Sequence, residues 1–284
     1  MTIHNNILTV TISRLGAELK SIKNKANYEY LWQADPVFWN RTSPILFPIV
    51  GALKNNTYNY NQKTYTLPRH GFARDTNFKS TQLSNTEALF TLTATPETLE
   101  VYPFNFKLQI CYKLKGSLLH CTYTVFNLGN INMPFSIGGH PAFALKDENI
   151  SNYSLEFNED CILNCLELTS DGLISSSKKS ISLVNQQLTL DKELFNKDAL
   201  VFRDLKSNQI ALKNKTNTQG IIMTFNDFSH FGIWSAPNAP FICLEPWCGI
   251  ADVENHTQNI EDKEGIINLQ PKTSIKKSWQ IEIL

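Results

Sequence analysis

Residues 240–249 read Pro-Phe-Ile-Cys-Leu-Glu-Pro-Trp-Cys-Gly, and the organisation of the whole chain follows from this stretch. An apolar run bounded by proline and glycine is typical of a buried strand. Because Pro246 has no N–H to donate, we expect strand pairing to stop there, with Glu245 at the strand's end. A carboxylate at the mouth of a buried strand is partly desolvated, which raises its pKa toward the range useful for proton transfer. The alternative is a glutamate that points to water.

The rest of the chain shows one strand pattern after another. Residues 7–12, 106–114 and 118–126 alternate between apolar and polar side chains. Residues 57–60 and 63–67 alternate around Asn61-Gln62, which predicts a two-residue hairpin turn. Further strands are predicted at 78–83, 88–93, 153–157, 181–184, 200–205, 210–213, 221–226, 265–269 and 274–283. This many strands at short spacing predicts an all-β fold, a sandwich of large antiparallel sheets.

Helical signals are few and short. They occur at residues 96–100 and 191–196, and the polar residues 170–182 predict an excursion at one edge of the fold. No linker composition, internal repeat or low-complexity tract divides the chain. We therefore expect a single domain over residues 1–284.

Composition and charge argue against several classes of partner. With 26 basic and 26 acidic residues, the chain is not expected to bind nucleic acid or an anionic membrane. No apolar run reaches the length of a membrane span. Residues 1–6 lack the basic start and apolar core of a signal peptide, so we expect a cytoplasmic protein. The six cysteines lack CxxC spacing, and we expect reduced thiols, mostly buried.

Three further stretches place polar residues among apolar residues and turn formers. They are residues 39–51 with Arg41, residues 67–75 with His70 and Arg74, and residues 135–143 with His140. Gly71 next to His70 permits backbone conformations that a bulkier residue would strain. Two glycines and a proline flank His140, so its imidazole is expected on a rigid turn. Proton transfer needs such fixed groups, although a histidine satisfied within the core is the alternative for each.

Four motifs follow one another along the chain. They are Arg-x-x-Pro-x-Leu-Phe-Pro-x-Val-Gly from Arg41, Pro-Arg-His-Gly-Phe-Ala-Arg from Pro68, Gly-Gly-His-Pro-Ala-Phe from Gly138 and Cys-Leu-Glu-Pro-Trp from Cys243. Together they resemble the aldose 1-epimerase (galactose mutarotase) family, most closely its LacX-like branch, which is found with bacterial lactose genes. The resemblance implies a galactose mutarotase-like β-supersandwich, a site in the concave face of the large sheet, and no metal or organic cofactor.

The resemblance also implies roles for individual residues. Glu245 matches the general base of the family and His140 its general acid. His70 matches a second histidine that binds the sugar oxygens. Arg41 and Arg74 match arginines in the site of related hexose-phosphate mutarotases.

An aspartate and several tryptophans are further candidates for sugar binding. Asp198 stands where relatives carry an aspartate that binds sugar hydroxyls, but only this residue and the apolar pattern after it agree with the family. Its alternative role is a surface carboxylate at the start of a strand. Trp234 and Trp247 either stack on the sugar or fill the core. Trp32 and Trp39 are candidates for the wall of the pocket.

Ring opening of an aldose needs only an acid and a base. The base removes the anomeric hydroxyl proton while the acid protonates the ring oxygen, and rotation about C1–C2 before reclosure inverts C1. Each positioned acid or base contributes a rate gain of roughly 10²–10⁴-fold. The sequence contains no GxGxxG, P-loop or HExxH motif that would indicate other chemistry.

Three hypotheses remain open on the sequence alone. The first is an aldose 1-epimerase acting on a hexose, with Glu245 as base and His140 as acid, or a hexose-6-phosphate mutarotase in which Arg41 and Arg74 bind the phosphate. The second is a non-catalytic carbohydrate-binding or regulatory protein, since fold does not fix function. The third is a metal-dependent enzyme with His70, His140 and Glu245 as ligands. The expected partner is a small-molecule sugar, and the chain is a monomer or a homodimer.

Overall fold

Strands are the main regular elements of the structure, a computed structural model that describes residues 1–284. The first twelve strands are β1 (Thr2–His4), β2 (Leu8–Ile12), β3 (Leu19–Asn24), β4 (Ile45–Leu46), β5 (Thr57–Tyr60), β6 (Lys63–Thr66), β7 (Lys79–Ser84), β8 (Glu87–Thr93), β9 (Phe106–Lys115), β10 (Leu118–Asn127), β11 (Met133–Phe135) and β12 (Ile137–Gly139). The other twelve are β13 (Ala142–Ala144), β14 (Tyr153–Phe157), β15 (Ile162–Leu168), β16 (Ile174–Ser182), β17 (Gln187–Thr189), β18 (Leu200–Phe202), β19 (Gln209–Asn214), β20 (Gly220–Thr224), β21 (His230–Trp234), β22 (Phe241–Cys248), β23 (Ile267–Leu269) and β24 (Ser274–Ile283). The all-β prediction is confirmed.

Helical structure is confined to short segments. The α-helix α1 (Pro96–Val101) forms where the sequence predicts one, with Thr95 capping its first turn through a hydrogen bond from the Thr98 N–H. Four single 3₁₀ turns lie at Lys54–Asn56, Ala73–Asp75, Ile150–Asn152 and Ile260–Asp262. None of the helices is long and apolar enough to cross a membrane.

Two large antiparallel sheets carry the fold. One has nine strands in the order β17-β14-β19-β20-β24-β10-β9-β8-β7. The other has the order β16-β15-β18-β21-β22-β12-β4, and β13 pairs with β22 beside β12. Three smaller sheets complete the fold: a three-stranded sheet of β1, β2 and β3, a two-stranded sheet of β5 and β6, and a two-stranded sheet of β11 and β23. A continuous apolar core contains side chains from both large sheets.

The predicted alternation is confirmed in the centre of the nine-stranded sheet. The apolar side chains of β9 at Phe106, Leu108, Ile110, Tyr112 and Leu114 are buried, while the residues between them are more exposed. Burying one such side chain stabilises the fold by roughly 1.5–3 kcal/mol. The hairpin of β5 and β6 is also confirmed, because both turn residues adopt the positive φ that a type I′ turn requires, 48° at Asn61 and 62° at Gln62.

Two predictions at the edge of the fold differ from the structure. Residues 191–196 form consecutive turns rather than a helix, because so short a segment gains too few helical hydrogen bonds to offset the cost of starting a helix. The polar residues 170–182 lie at one edge of the fold, as predicted, but residues 174–182 form a full strand, β16, at the end of the eight-stranded sheet. Most of its side chains are exposed, so burial imposes no apolar–polar alternation on its sequence.

The prediction that strand pairing stops at Pro246 is wrong. β22 continues through Pro246, which lies opposite Phe231 of β21. On the other side of β22, the partner is β13 up to Cys243 and β12 from Trp247 onward, so a gap lies between them. The Leu244 N–H points into this gap and donates to Pro141 O (3.2 Å). Because N–H direction alternates along a strand, the nitrogen of Pro246 faces the same gap, where no ladder hydrogen bond is lost.

Candidate active site

A cavity of about 520 Å³ opens on the face of the eight-stranded sheet that is turned away from the core. Along β22, Ile242 and Leu244 face the core, whereas Glu245 and Trp247 face the cavity. The same alternation directs Val201 of β18 and Trp234 of β21 into the cavity. Loops that carry His70, Arg74, His140 and Asp198 complete its wall. The structure therefore brings together seven of the eight predicted site residues, and only Arg41 is not among the residues that line the cavity.

Glu245 and His140 touch each other in the wall of this cavity. Glu245 Oε2 lies 3.2 Å from His140 Nε2 without forming a hydrogen bond to it, and the two residues are 1% and 8% exposed. Burial raises the pKa of Glu245 well above its usual value, an effect that the charge of Arg69 opposes. Burial lowers the pKa of His140 to about 3. Between these two pKa values the pair holds a single proton, and the alternative of a glutamate that points to water is excluded.

The position of His140 depends on the gap beside β22. The chain from β12 to β13 crosses this gap at residues 139–141, which places the imidazole next to the middle of β22. A Cβ at Gly139 would lie 2.8 Å from the hydroxyl of Tyr123 in the opposite sheet, so only glycine allows this approach. The His140 N–H donates to Pro44 O (3.1 Å), which fixes the backbone of the turn.

Aromatic rings fix the orientation of the His140 imidazole. Trp39 stacks on it with ring centroids 4.8 Å apart, and Trp234 meets it edge to face at 5.7 Å. Nδ1 of His140 is buried and has no hydrogen-bond partner. Trp39 is thus confirmed as part of the cavity wall. Trp32 is not: it packs in a neighbouring apolar cluster and donates its indole N–H to Trp39 O (2.9 Å).

His70 is fixed by a reciprocal contact with Gly51. The His70 N–H donates to Gly51 O (3.0 Å), and the Gly51 N–H donates to His70 Nδ1 (3.1 Å). Because Nδ1 accepts a hydrogen bond, the proton of the neutral ring is assigned to Nε2. Burial, and then the charges of His140, Arg69 and Arg74, hold the pKa of His70 well below 6.5. At neutral pH this ring is therefore a neutral hydrogen-bond donor.

The turn at His70 also depends on a glycine. His70 itself adopts a positive φ of 71°, and Gly71 follows with 70°. A Cβ at Gly71 would lie 2.3 Å from Phe47 O, so the turn packs against the backbone of residues 47–48. The sequence-based expectation of an unusual conformation at this glycine is confirmed, and the strained residue His70 lies directly at the site.

The two predicted arginines differ in their surroundings. The Arg41 guanidinium donates to Asp75 Oδ1 (2.7 Å). Arg74 lines the cavity and donates from Nη2 to Arg69 O (2.8 Å), while its buried Nε has no hydrogen-bond partner. Of the two arginines, only Arg74 presents its side chain to the cavity.

Trp247 lies flat across its sheet between two glycines on neighbouring strands. A Cβ at Gly138 of β12 would lie 2.6 Å from Trp247 Cδ1, and one at Gly232 of β21 would lie 2.4 Å from Trp247 Cη2. The indole therefore occupies the space that side chains would fill at both positions. Since Trp247 lines the cavity, this arrangement offers a flat apolar surface to a ligand.

Several cavity residues were not predicted as site residues from the sequence. Arg69, next to His70 in a predicted motif, could have been included on that signal, but the direction of its side chain is set by the fold. Phe195 and Asn196 come from the segment predicted as helical, and no sequence signal marks them. A further buried histidine, His230, is outside the cavity lining, with Nδ1 2.9 Å from Ser229 Oγ and Nε2 3.3 Å from Glu264 Oε1.

The ligand set proposed for a metal is not assembled. The three potential ligand atoms that lie within 4.8 Å of one another belong to His140, Cys243 and Glu245, and His70 is not part of this group. All six cysteines are free thiols, and four of them are buried, as predicted.

Comparison with known proteins agrees with the motifs and the fold. The family model described as aldose 1-epimerase matches residues 1–273. The plasmid and chromosomal forms of protein LacX from Lactococcus lactis subsp. lactis are each 37% identical over 294 aligned residues, which cover 99% of this chain and 98% of the relative.

Solved structures agree as well. A galactose mutarotase related enzyme from Lactobacillus acidophilus has a TM-score of 0.95 at 33% identity, with 100% of this chain and 97% of that chain covered. A galactose mutarotase-like protein from Lactobacillus casei ATCC 334 has a TM-score of 0.93 at 31% identity, with 100% and 99% covered. A galactose 1-epimerase from Lactobacillus acidophilus NCFM shares the fold, with a TM-score of 0.75 at 15% identity and 100% and 93% covered. The predicted mutarotase-like architecture is confirmed.

Proposed function

The chain belongs to the aldose 1-epimerase family, and we propose that it interconverts the α and β anomers of a hexose. The observation that carries this proposal is the 3.2 Å contact between Glu245 and His140 in the wall of an open cavity. A carboxyl group and an imidazole this close together, with one proton between them on Glu245, supply the acid and the base that ring opening requires. Neither the opening nor the closing of the sugar ring needs an electron acceptor or a further reactant.

The proposed reaction begins with a proton transfer across this contact. Burial favours the neutral pair in the empty site, with the proton on Glu245, and transfer to His140 gives carboxylate and imidazolium. The carboxylate takes the proton of the anomeric hydroxyl, the C1–O5 bond breaks, and the imidazolium protonates O5. The pair returns to its neutral form as the ring opens. After rotation about C1–C2, the same steps in reverse close the ring on the other face.

Two other residues support binding of the sugar in this reaction. Neutral His70 donates from Nε2 to a sugar oxygen, and Trp247 provides an apolar surface for one face of the ring. We propose a free hexose as the substrate, because the arginines around the cavity have acidic neighbours: Arg41 pairs with Asp75 and Arg69 lies near Asp198. A hexose 6-phosphate is the second candidate, supported by the buried Nε of Arg74, which has no hydrogen-bond partner and lies 3.6 Å from Asp75 Oδ2.

The proposal is tested by the rate at which freshly dissolved α-glucose, α-galactose and glucose 6-phosphate reach anomeric equilibrium. We expect Glu245→Gln to lower the rate by roughly 10²–10⁴-fold, the contribution of one positioned base. Glu100→Gln, the same change at an exposed position, serves as the control. If Glu245→Gln kept full activity, Glu245 would not be the base. Sugar binding by the unaltered protein without acceleration of anomer exchange would favour a carbohydrate-binding or regulatory protein instead.

A further inference from the structure

Three separate segments meet at the mouth of the cavity. Arg69 precedes His70 in its loop, Gly172 lies in the turn between β15 and β16, and Asp198 precedes β18. The Arg69 guanidinium lies flat on Gly172, because a Cβ there would be 3.1, 3.2 and 3.4 Å from Nη1, Cζ and Nη2. The backbone of Gly172 thus supports the guanidinium plane at the cavity mouth.

Of the three arginines near this site, Arg69 is the one whose side chain donates no hydrogen bond within the protein. Arg41 donates to Asp75 at 2.7 Å, and Arg74 donates to a carbonyl oxygen at 2.8 Å. The Arg69 side chain is half-exposed, and its closest acidic atom, Asp198 Oδ2, is 3.6 Å from Nη2, beyond hydrogen-bond distance. Its N–H groups are therefore available to a ligand in the cavity.

Asp198 presents one free acceptor beside these donors. Its Oδ1 accepts the Ala199 N–H (2.8 Å), and its backbone is held at a φ of 79°, so the carboxylate has a defined direction. Oδ2 remains free and faces the Arg69 guanidinium. A donor and an acceptor side by side match two adjacent hydroxyl groups, one of which accepts from the arginine while the other donates to the aspartate. A phosphate at this position would be repelled by the carboxylate.

We propose that Arg69 is a specificity-determining residue. Together with Asp198 it forms a clasp, by which we mean these two side chains, that binds two neighbouring hydroxyl groups of an uncharged sugar. This inference rests on the proposed function in one respect, that a hexose occupies the cavity. The clasp acts on binding and selectivity, whereas Glu245 and His140 act on the proton transfers.

The test is the equilibrium affinity of the full chain for glucose and for its 2-, 3-, 4- and 6-deoxy analogues, measured by calorimetry or NMR titration. We expect the unaltered protein to bind two of these analogues about 10-fold more weakly than glucose, because each loses one hydrogen bond to a charged group. The hydroxyl groups missing from these two analogues should be neighbours on the sugar ring. Arg69→Gln should bind glucose about 10-fold more weakly, and one of those two losses should disappear. Arg14→Gln is the control, because it removes the same charge from an exposed residue that does not line the cavity; it should change neither the affinity for glucose nor the pattern across the analogues.

The clasp is ruled out if Arg69→Gln binds glucose with unaltered affinity and the same pattern across the deoxy analogues. It is equally overturned if glucose 6-phosphate binds more tightly than glucose and Arg69→Gln abolishes that preference, because the arginine would then be an anion site. Binding at equilibrium does not require turnover. Failure of the clasp is therefore distinguishable from failure of the proposed function, which would show as unaccelerated anomer exchange.

Discussion

The position of Trp247 between two glycines can be tested by filling one of them. In Gly232→Ala, the new Cβ would lie 2.4 Å from Cη2 and 2.5 Å from Cζ2 of Trp247. Carbon atoms in contact lie roughly 3.5–4.0 Å apart, so the indole must move by about 1 Å, away from the sheet and into the cavity. The substitution leaves every proposed catalytic group chemically intact.

The size of the effect follows from this displacement. Overpacking of this kind costs roughly 1–3 kcal/mol of unfolding free energy. A misplacement of about 1 Å in a reacting complex costs up to roughly 10²-fold in rate. We therefore expect kcat/KM for anomer exchange to fall by about 10- to 100-fold, with a higher KM because the surface under the sugar has moved.

The assay is anomer exchange by NMR, combined with urea unfolding of the same protein. Gly116→Ala is the matched control, because a Cβ at Gly116 meets no atom within 4 Å, although its φ of 61° makes the change mildly destabilising. Gly116→Ala should lose stability and keep its kinetics. If Gly232→Ala loses stability but keeps the kcat/KM of the unaltered protein, Trp247 does not contribute to sugar binding and the reasoning is refuted.

Three further predictions concern buried ionisable groups. The rate of anomer exchange should show a bell-shaped pH profile. At low pH, toward the His140 pKa of about 3, both groups are protonated and no base remains; above the raised pKa of Glu245, neither is protonated and no acid remains. A rate that does not fall at either end of the pH range would contradict a pair with one proton. The folded protein binds more protons at Glu245 than the unfolded chain does at any pH between 4.5 and this raised pKa, so stability falls as pH rises through that window. Glu245→Gln should therefore raise Tm relative to the unaltered protein at pH 8 but not at pH 4. If the two proteins have the same Tm at both pH values, the buried carboxyl group does not destabilise the fold. Lys263→Met removes the ammonium group that lies 3.0 Å from the buried carboxylate of Asp252, and it should lower the unfolding free energy in urea by roughly 3–5 kcal/mol. Lys263→Met combined with Asp252→Leu should lower it by less than Lys263→Met alone.

Local patterns predicted the strands that are buried on one face and the turns with special residues. Residues 106–114 and 118–126 alternate because one face of each strand packs in the core, and this requirement is written directly into the sequence. The edge strand β16 lacks that requirement, so residues 174–180 gave no strand signal, and only the end of β16 falls in the strand predicted at 181–184. Residues 191–196 carry a helical signal, but the segment is too short for a stable helix and forms turns with local hydrogen bonds.

The candidate site was predictable in its members but not in its geometry. The four motifs identified Arg41, His70, Arg74, His140 and Glu245, and all of these except Arg41 line one cavity. The sequence could not show that β22 continues through Pro246, because that depends on the gap between β13 and β12 on its other side. It could not separate Arg41 from Arg69 either, since the direction of each guanidinium depends on where Asp75 and Gly172 lie.

By itself, the sequence determined the all-β architecture and the residue types available for proton transfer, because periodicity and motif chemistry are properties of neighbouring positions. Tertiary structure alone decided which of those residues meet. Glu245 and His140 are 105 positions apart in the chain yet 3.2 Å apart in space, because a break in one strand pairing admits the histidine turn. Their opposite pKa shifts follow from the burial that this meeting imposes, and burial is a property of the folded chain as a whole.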